Sequence, residues 1–278
     1  MCCIKYLAAS AVLVIGFALP APALADVRLV QLANEGVILS SADTRVMIDG
    51  MVVEPYSIYA GLPADAAADF QRASGVFEGI DLALVSHRHH DHNQPSFACD
   101  FMQSSSGTEL VTSRQVVDLM REKCREFVAT SSRIRRIDPQ PGQPVRISKG
   151  GAEVTVMRLS HGKRRYASID HFGHLVEMGG KRILHIGDAA MDPEVFGESG
   201  LEAAALDAVL IPIWFFQPGP GEAIVRDYLA AKTQIAVQVP PDEMAEARSY
   251  LADKYPGVRL LEPLEEIVLP GGETPAEP

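Results

Sequence analysis

Residues 82–92 constrain this chain more than any other stretch. An apolar run, Leu82-Ala83-Leu84-Val85, ends abruptly in Ser86-His87-Arg88-His89-His90-Asp91-His92. The run has the length and flanks of a buried β-strand. The polar part then falls in the loop at the strand's C-terminal end, where open α/β sheets place their chemistry. The chain has 8 histidines, and this loop holds half of them. Neutral imidazole is the commonest metal ligand, and carboxylate is a hard anionic one. His87 and His89, two residues apart, can aim at one point, and Asp91-His92 can aim at a second point beside it.

The ends of the chain read differently from its middle. Lys5, the apolar stretch Tyr6 to Leu19 and the A-x-A site Ala23-Leu24-Ala25 have the form of a secretory signal. Residues 1–25 are therefore expected to be removed after Ala25, giving a periplasmic or secreted protein. The apolar stretch is short for a membrane span, so no stable membrane insertion is expected after cleavage. Residues 26–270 form the expected domain, and 271–278 have nothing to bury and read as a disordered tail. The net charge of −11 argues against nucleic acid as a partner; the expected partner is a small-molecule substrate. Without the signal, Cys99 and Cys124 are the remaining cysteines. In an exported chain they are either one disulfide or two buried thiols.

Strand patterns follow at 27–33, 36–40 and 45–49, with turns at Asn34-Glu35-Gly36 and Ala42-Asp43-Thr44. Met51 to Leu62 is irregular and carries Tyr56 and Tyr59, placed to overhang a site. Helices are expected over 63–74, 95–103, from the Ser113 cap to about Phe127, and over 222–231. Further strands are expected at 109–112, 145–147, 153–159, 172–178, 182–186, 208–213 and 233–238. The basic run Arg133, Arg135, Arg136 reads as a solvated patch. Lys163, Arg164 and Arg165 read as a basic turn able to meet an anionic group. Periodicity alone supports an α/β or α+β fold.

The segment His87-x-His89-x-Asp91-His92 after a hydrophobic strand resembles the signature of the metallo-β-lactamase-fold hydrolases, in particular stand-alone bacterial, lactonase-like members. The resemblance implies a four-layer αββα sandwich. It also implies that His161, in Ser160-His161-Gly162 at a strand end, completes a first metal site with His87 and His89. Gly187-Asp188 matches the family's strand-Gly-Asp, whose aspartate bridges two metals. Asp91, His92 and Asp188 would then hold a second ion, and Asp49 would support the metal loop. His185 would support the ligands from outside, and His171 and His174 would be structural. The aromatic loop Trp214-Phe215-Phe216 would lie beside the metals.

One piece departs from that pattern. The last central strand ends in Val237-Gln238-Val239-Pro240, where the family usually places a histidine. Glutamine offers only a neutral amide oxygen, a much weaker zinc ligand. The second site is therefore expected to be weakened, with Gln238 a weak ligand at best. Asp242 and Glu243 could reach it only if the chain bends back. The expected cofactor is zinc, one ion held firmly, with manganese or iron as alternatives. The expected activity is attack by a metal-activated water, oriented by Asp91 and Asp188 as catalytic carboxylates, on an ester, lactone, amide or phosphodiester bond. The rival expectation is a metal- or ligand-binding protein with little catalysis, because of Gln238. A redox or sulfur-chemistry member of the same fold is a third.

Overall fold

The computed structural model describes residues 25–42, 44–162, 164–201 and 205–271. The expected signal, Lys163 and nearly all of the expected tail lie outside them. The strands are β1 (Val27–Gln31), β2 (Val37–Ser41), β3 (Thr44–Ile48), β4 (Leu82–Leu84), β5 (Glu109–Thr112), β6 (Ile134–Arg136), β7 (Val145–Lys149), β8 (Ala152–Arg158), β9 (Phe172–Met178), β10 (Lys181–His185), β11 (Leu206–Pro212), β12 (Ala231–Val237), β13 (Arg259–Leu260) and β14 (Glu266–Leu269). Among the described residues they form two seven-stranded sheets, ordered β14-β1-β2-β3-β4-β5-β6 and β13-β12-β11-β10-β9-β8-β7. Each sheet changes from antiparallel to parallel pairing part-way across. The change comes after β3 in the first sheet and after β10 in the second.

Period-two alternation explains the layers. Val37, Leu39, Val46, Ile48, Leu82 and Leu84 face the second sheet, where they meet Val154, Val156, Val176, Ile183 and Leu210. Their neighbours Ile38, Met47, Ala83 and Val85 face outward, against Phe70, Phe101, Val116 and Met120 of the helices α1 (Ala64–Arg72), α2 (Pro95–Ser104) and α3 (Arg114–Lys123). On the far side Leu184, Val209 and Ile211 pack against Phe196, Ile224 and Leu251 of the covering helices. The expected αββα sandwich is the fold observed.

Several local expectations are corrected. The helix expected from Ser113 to Phe127 breaks at Cys124 and resumes as α4 (Arg125–Thr130). Cys124 is bonded to Cys99, which resolves the disulfide-or-thiols question in favour of the disulfide. Arg133 is not a solvated charge. Its guanidinium donates to Met102 O at 2.6 Å, Ser105 O at 2.6 Å and Thr108 O at 2.9 Å, closing the C-terminal end of α2. Arg135 and Arg136 are exposed on β6, the sheet edge, where charge discourages further pairing. The helix expected over 222–231 is α6 (Pro220–Asp227), after an intervening α5 (Pro193–Glu198), and Ala231 already begins β12.

The disulfide closes a sequence separation of 25 residues between α2 and the α3–α4 junction. A loop of that size is worth about 3 kcal/mol of unfolding free energy. The double substitution Cys99→Ser, Cys124→Ser is expected to lower stability by about that amount. The denaturant midpoint of reduced against oxidised protein checks it.

Candidate metal centre

Five loops meet where strands of the two sheets end. Asp49 follows β3, His87 to His92 follow β4, His161 follows β8, Asp188 follows β10 and Gln238 follows β12. Backbone bonds stitch these loops together. Phe172 N donates to Ser86 O at 3.0 Å, Ala190 N to Ser160 O at 2.7 Å and Gly162 N to Asp188 O at 2.9 Å. Gly187 has a φ of +51°, and a Cβ there would stand 2.7 Å from His171 Nε2 and 3.1 Å from the Ser86 Cβ. Only glycine lets this backbone pass so close.

The side chains of His87, His89, His161 and Asp188 converge, one ligand atom of each lying within 4.8 Å of the others. His87 Nε2 is 2.9 Å from His89 Nδ1, and His161 Nε2 is 3.1 Å from the same atom. Asp188 Oδ2 lies 3.4 Å from His161 Nε2 and 3.8 Å from His87 Nε2. Three imidazole nitrogens aimed at one another cannot all be paired by the protons of neutral rings. A shared cation satisfies them together, and nitrogens about 2.0–2.1 Å from zinc would sit about this far apart. Burial, with help from the neighbouring His92, holds His87 well below the ordinary histidine range. Burial and His161 bring His89 down to about 4. Both rings are thus neutral near pH 7 and able to coordinate.

A second focus adjoins the first. His92 Nε2 is 3.3 Å from Asp188 Oδ1 and 3.8 Å from Asp91 Oδ2. His92 Nε2 and Asp188 Oδ1 are buried without hydrogen-bond partners. Gln238 stands at the rim, yet its Nε2 donates to Asp91 Oδ2 at 3.1 Å and its Oε1 has no partner. Its amide nitrogen, not its oxygen, meets the carboxylate. Among the described residues neither Asp242 nor Glu243 belongs to a converging group.

Beneath both foci lies Asp49, fully buried and in the left-handed region at φ 48°. Its Oδ1 accepts from Ser86 N at 2.7 Å, and its Oδ2 accepts from Ser86 Oγ at 2.5 Å and His92 Nδ1 at 2.9 Å. Ser86 Oγ also touches His87 Nδ1 at 3.0 Å. Burial pushes the Asp49 carboxyl up, but the His92 hydrogen bond and charge outweigh this and hold it at about 2. His185 Nε2 donates to Glu35 O at 3.0 Å, and His171 Nδ1 to Leu159 O at 3.0 Å.

Glu35 is the residue that sequence patterning hid, because Asn34-Glu35-Gly36 reads as an ordinary turn. Its carboxyl is fully buried, 3.8 Å from both His92 Nδ1 and His185 Nε2, and neither oxygen has a hydrogen bond. Burial drives its proton affinity well above the carboxylate range. Above the foci opens a cleft of about 700 Å³, lined by Tyr56, Ile58, Tyr59, Tyr166, Met191 and Trp214 around His89, Asp91, His161, Asp188 and Gln238. The Tyr166 ring packs on His89 and His161 and carries the Arg165 guanidinium 4.6 Å from its centroid.

A family profile described as "Beta-lactamase superfamily domain" matches residues 45–254. The chain belongs to this family, and its two-sheet fold is the one the family model implies. An isothiocyanate hydrolase from Delia radicum gut bacteria is similar in structure, with TM-score 0.61, 16% identity, and coverage of 86% of this chain and 98% of that one. CmlA, a diiron beta-hydroxylase from Streptomyces venezuelae, is similar with TM-score 0.54 and 19% identity over 90% of this chain and 55% of its own. Human tRNase Z, short form, is similar with TM-score 0.56 and 15% identity over 91% of this chain and 95% of its own. No curated protein matches by sequence. At these identities the likeness shows the fold, and that fold carries more than one chemistry.

Two outcomes follow from the buried carboxylates. Asp49→Asn keeps the volume but loses the anion that orients His92 and Ser86, so cation affinity is expected to fall by about 10–100-fold, read by competition with a chromogenic chelator. In metal-free protein, the stability associated with protonated Glu35 is complete below the ordinary carboxylate range and is lost as pH rises towards its raised value. Glu35→Gln is therefore expected to melt higher than the parent at pH 8, with the difference vanishing near pH 4.

Proposed function

We propose that this protein is an exported metal-dependent hydrolase acting on a small, partly apolar molecule with an ester, lactone, amide or phosphodiester bond. The observation that carries the reading is the convergence of His87, His89 and His161 nitrogens with the Asp188 carboxylate. These four residues would hold the firm ion, zinc first, with manganese or iron as alternatives. Such a cation polarises a carbonyl or phosphoryl oxygen and lowers the pKa of water to roughly 7. Asp91, His92 and Asp188 would hold a second ion only weakly, because Gln238 turns its N–H towards Asp91.

The chain's own residues supply the rest. Asp91 is held in place by Gln238 at Oδ2 and by Asn34, whose side-chain amide donates to Asp91 O at 3.1 Å. The Asp91 carboxylate lines the cleft beside the foci, where it could take a proton from the attacking water. The aromatic cleft wall gives a partly apolar substrate a surface to lie against. Export rests on the N-terminal signal pattern, and a disulfide is what an oxidising compartment allows. The acidic chain disfavours nucleic acid.

The test is elemental analysis of the mature protein together with ester, lactone, phosphodiester and β-lactam substrates. At least one tightly held ion per chain is expected, with turnover that chelation abolishes. His161→Ala should cost more than the roughly 100-fold that loss of a supporting hydrogen-bond partner costs. The second reading, a binding protein with little catalysis, is favoured by Gln238. It predicts one ion or none and no turnover, with no rescue by added metal or by Gln238→His.

A further inference from the structure

We propose that Tyr59 is a catalytic hydrogen-bond donor that does the work of the weakened second ion, and that Gln238 is the residue that positions it. This rests on the hydrolase reading above and adds a residue outside the metal-ligand pattern.

Four observations place the phenol. Tyr59 lines the cleft with His89, Asp91, Asp188 and Gln238. The Gln238 side chain stands beside it in the cleft wall. Gln238 Oε1 is without a partner, and its amide N–H₂ holds Asp91 Oδ2 at 3.1 Å. Among the described residues no hydrogen bond uses the Tyr59 hydroxyl, so its hydrogen remains for the cleft. Gln238 is itself in the left-handed region at φ 60°. For a residue with a Cβ that conformation costs roughly 1–2 kcal/mol, and such strain gathers at functional sites.

The segment that carries Tyr59 is fastened to the metal loop. Gln94 Oε1 accepts from Val53 N at 2.8 Å and Glu54 N at 3.1 Å, and Gln94 N donates to Met51 O at 3.1 Å. Leu62 N donates to Val53 O at 3.0 Å and Tyr59 N to Tyr56 O at 2.8 Å, closing the turn. A donor fixed in advance costs little reorganisation when charge develops. A free phenol ionises only at about pH 10, so the Tyr59 hydroxyl has its hydrogen to give at neutral pH.

In the acyl case, water adds to the carbonyl carbon and charge builds on the carbonyl oxygen. The Tyr59 O–H hydrogen-bonds that oxygen. The bond to the leaving group then breaks as the charge returns to the carbonyl. The water's protons pass to Asp91 and to the leaving group, and Tyr59 keeps its own.

The test compares parent, Tyr59→Phe, Gln238→His and the double variant in the metal-loaded protein. Ions per chain are counted, and inorganic phosphate is titrated as an oxyanion probe against the fluorescence of Trp214, the chain's single tryptophan. Tyr59→Phe should leave the ion count unchanged and weaken phosphate about tenfold. It should lower kcat by about 100-fold with KM nearly constant, the usual effect of removing one oxyanion donor. Gln238→His should gain an ion and, in the double variant, shrink the Tyr59→Phe penalty. Unchanged phosphate binding and kcat in Tyr59→Phe, with ion and turnover intact, would overturn the role of Tyr59 alone. Two firm ions in the parent would overturn it as well. Absence of any ion and of turnover would instead sink the hydrolase reading.

Discussion

The site depends on one buried anion. Asp49 is the carboxylate against which the histidine loop is built. One of its oxygens takes the Ser86 backbone N–H, and the other takes the Ser86 hydroxyl and the His92 ring N–H. Each bond also faces a metal focus. Ser86 leans on His87, which points to the first focus, while His92 presents its far nitrogen to the second. Fixing a proton on His92 Nδ1 makes Nε2 the atom that would meet a cation, so the ring's direction is set by the same contact. The left-handed backbone of Asp49 is the local cost, and aspartate tolerates it better than most residues.

That anion can sit there because of how the sheets meet. Asp49 N donates to Leu84 O at 3.0 Å, so the parallel pairing of β3 with β4 continues one residue beyond the strands. The second sheet contributes His161 and Asp188 from β8 and β10, which both flank β9. The bridge between His161 and Ala189 ties those two loops directly. Ligands more than seventy residues apart in sequence are therefore held by main-chain bonds rather than by side-chain packing alone. The inter-sheet core of Val, Leu and Ile fixes the spacing of the two sheets, and through it the reach between His87 and His161.

How much of this is legible in sequence differs residue by residue. The unbroken apolar runs at 37–39, 46–48 and 82–85 show the sandwich strands, because both faces of each are buried. The histidine cluster and Gly187-Asp188 are visible because chemistry and backbone freedom coincide there. Strand β6 is not visible, because an edge strand carries Arg135 and Arg136 and looks like a solvated run. Cys124 interrupts a continuous helical pattern, since a covalent tie to a residue 25 positions away leaves no local trace. Glu35 is hidden for the opposite reason. A turn composition that usually means exposure here faces inward, since Gly36 lets the chain approach Asp49, where a Cβ would stand 2.9 Å from the Asp49 carbonyl oxygen. Tyr59 lies in an irregular segment, and only its attachment through Gln94 to the metal loop makes its position definite.

Several of the buried polar atoms without partners among the described residues lie at this one place. His92 Nε2, Asp188 Oδ1, Gln238 Oε1 and both Glu35 oxygens are among them. Each such atom costs roughly 1–3 kcal/mol when nothing meets it, and a core free to choose would not retain five within one site. Departures of this kind are expected where a protein trades local stability for function. Imidazole nitrogens facing one another and carboxylates facing carboxylates are arrangements that a cation turns from repulsive to attractive, so ion binding and folding are linked here. Gln238 divides that linkage unevenly. At the second focus it turns an N–H towards Asp91 rather than a lone pair, while the first focus gathers three imidazole nitrogens and a carboxylate.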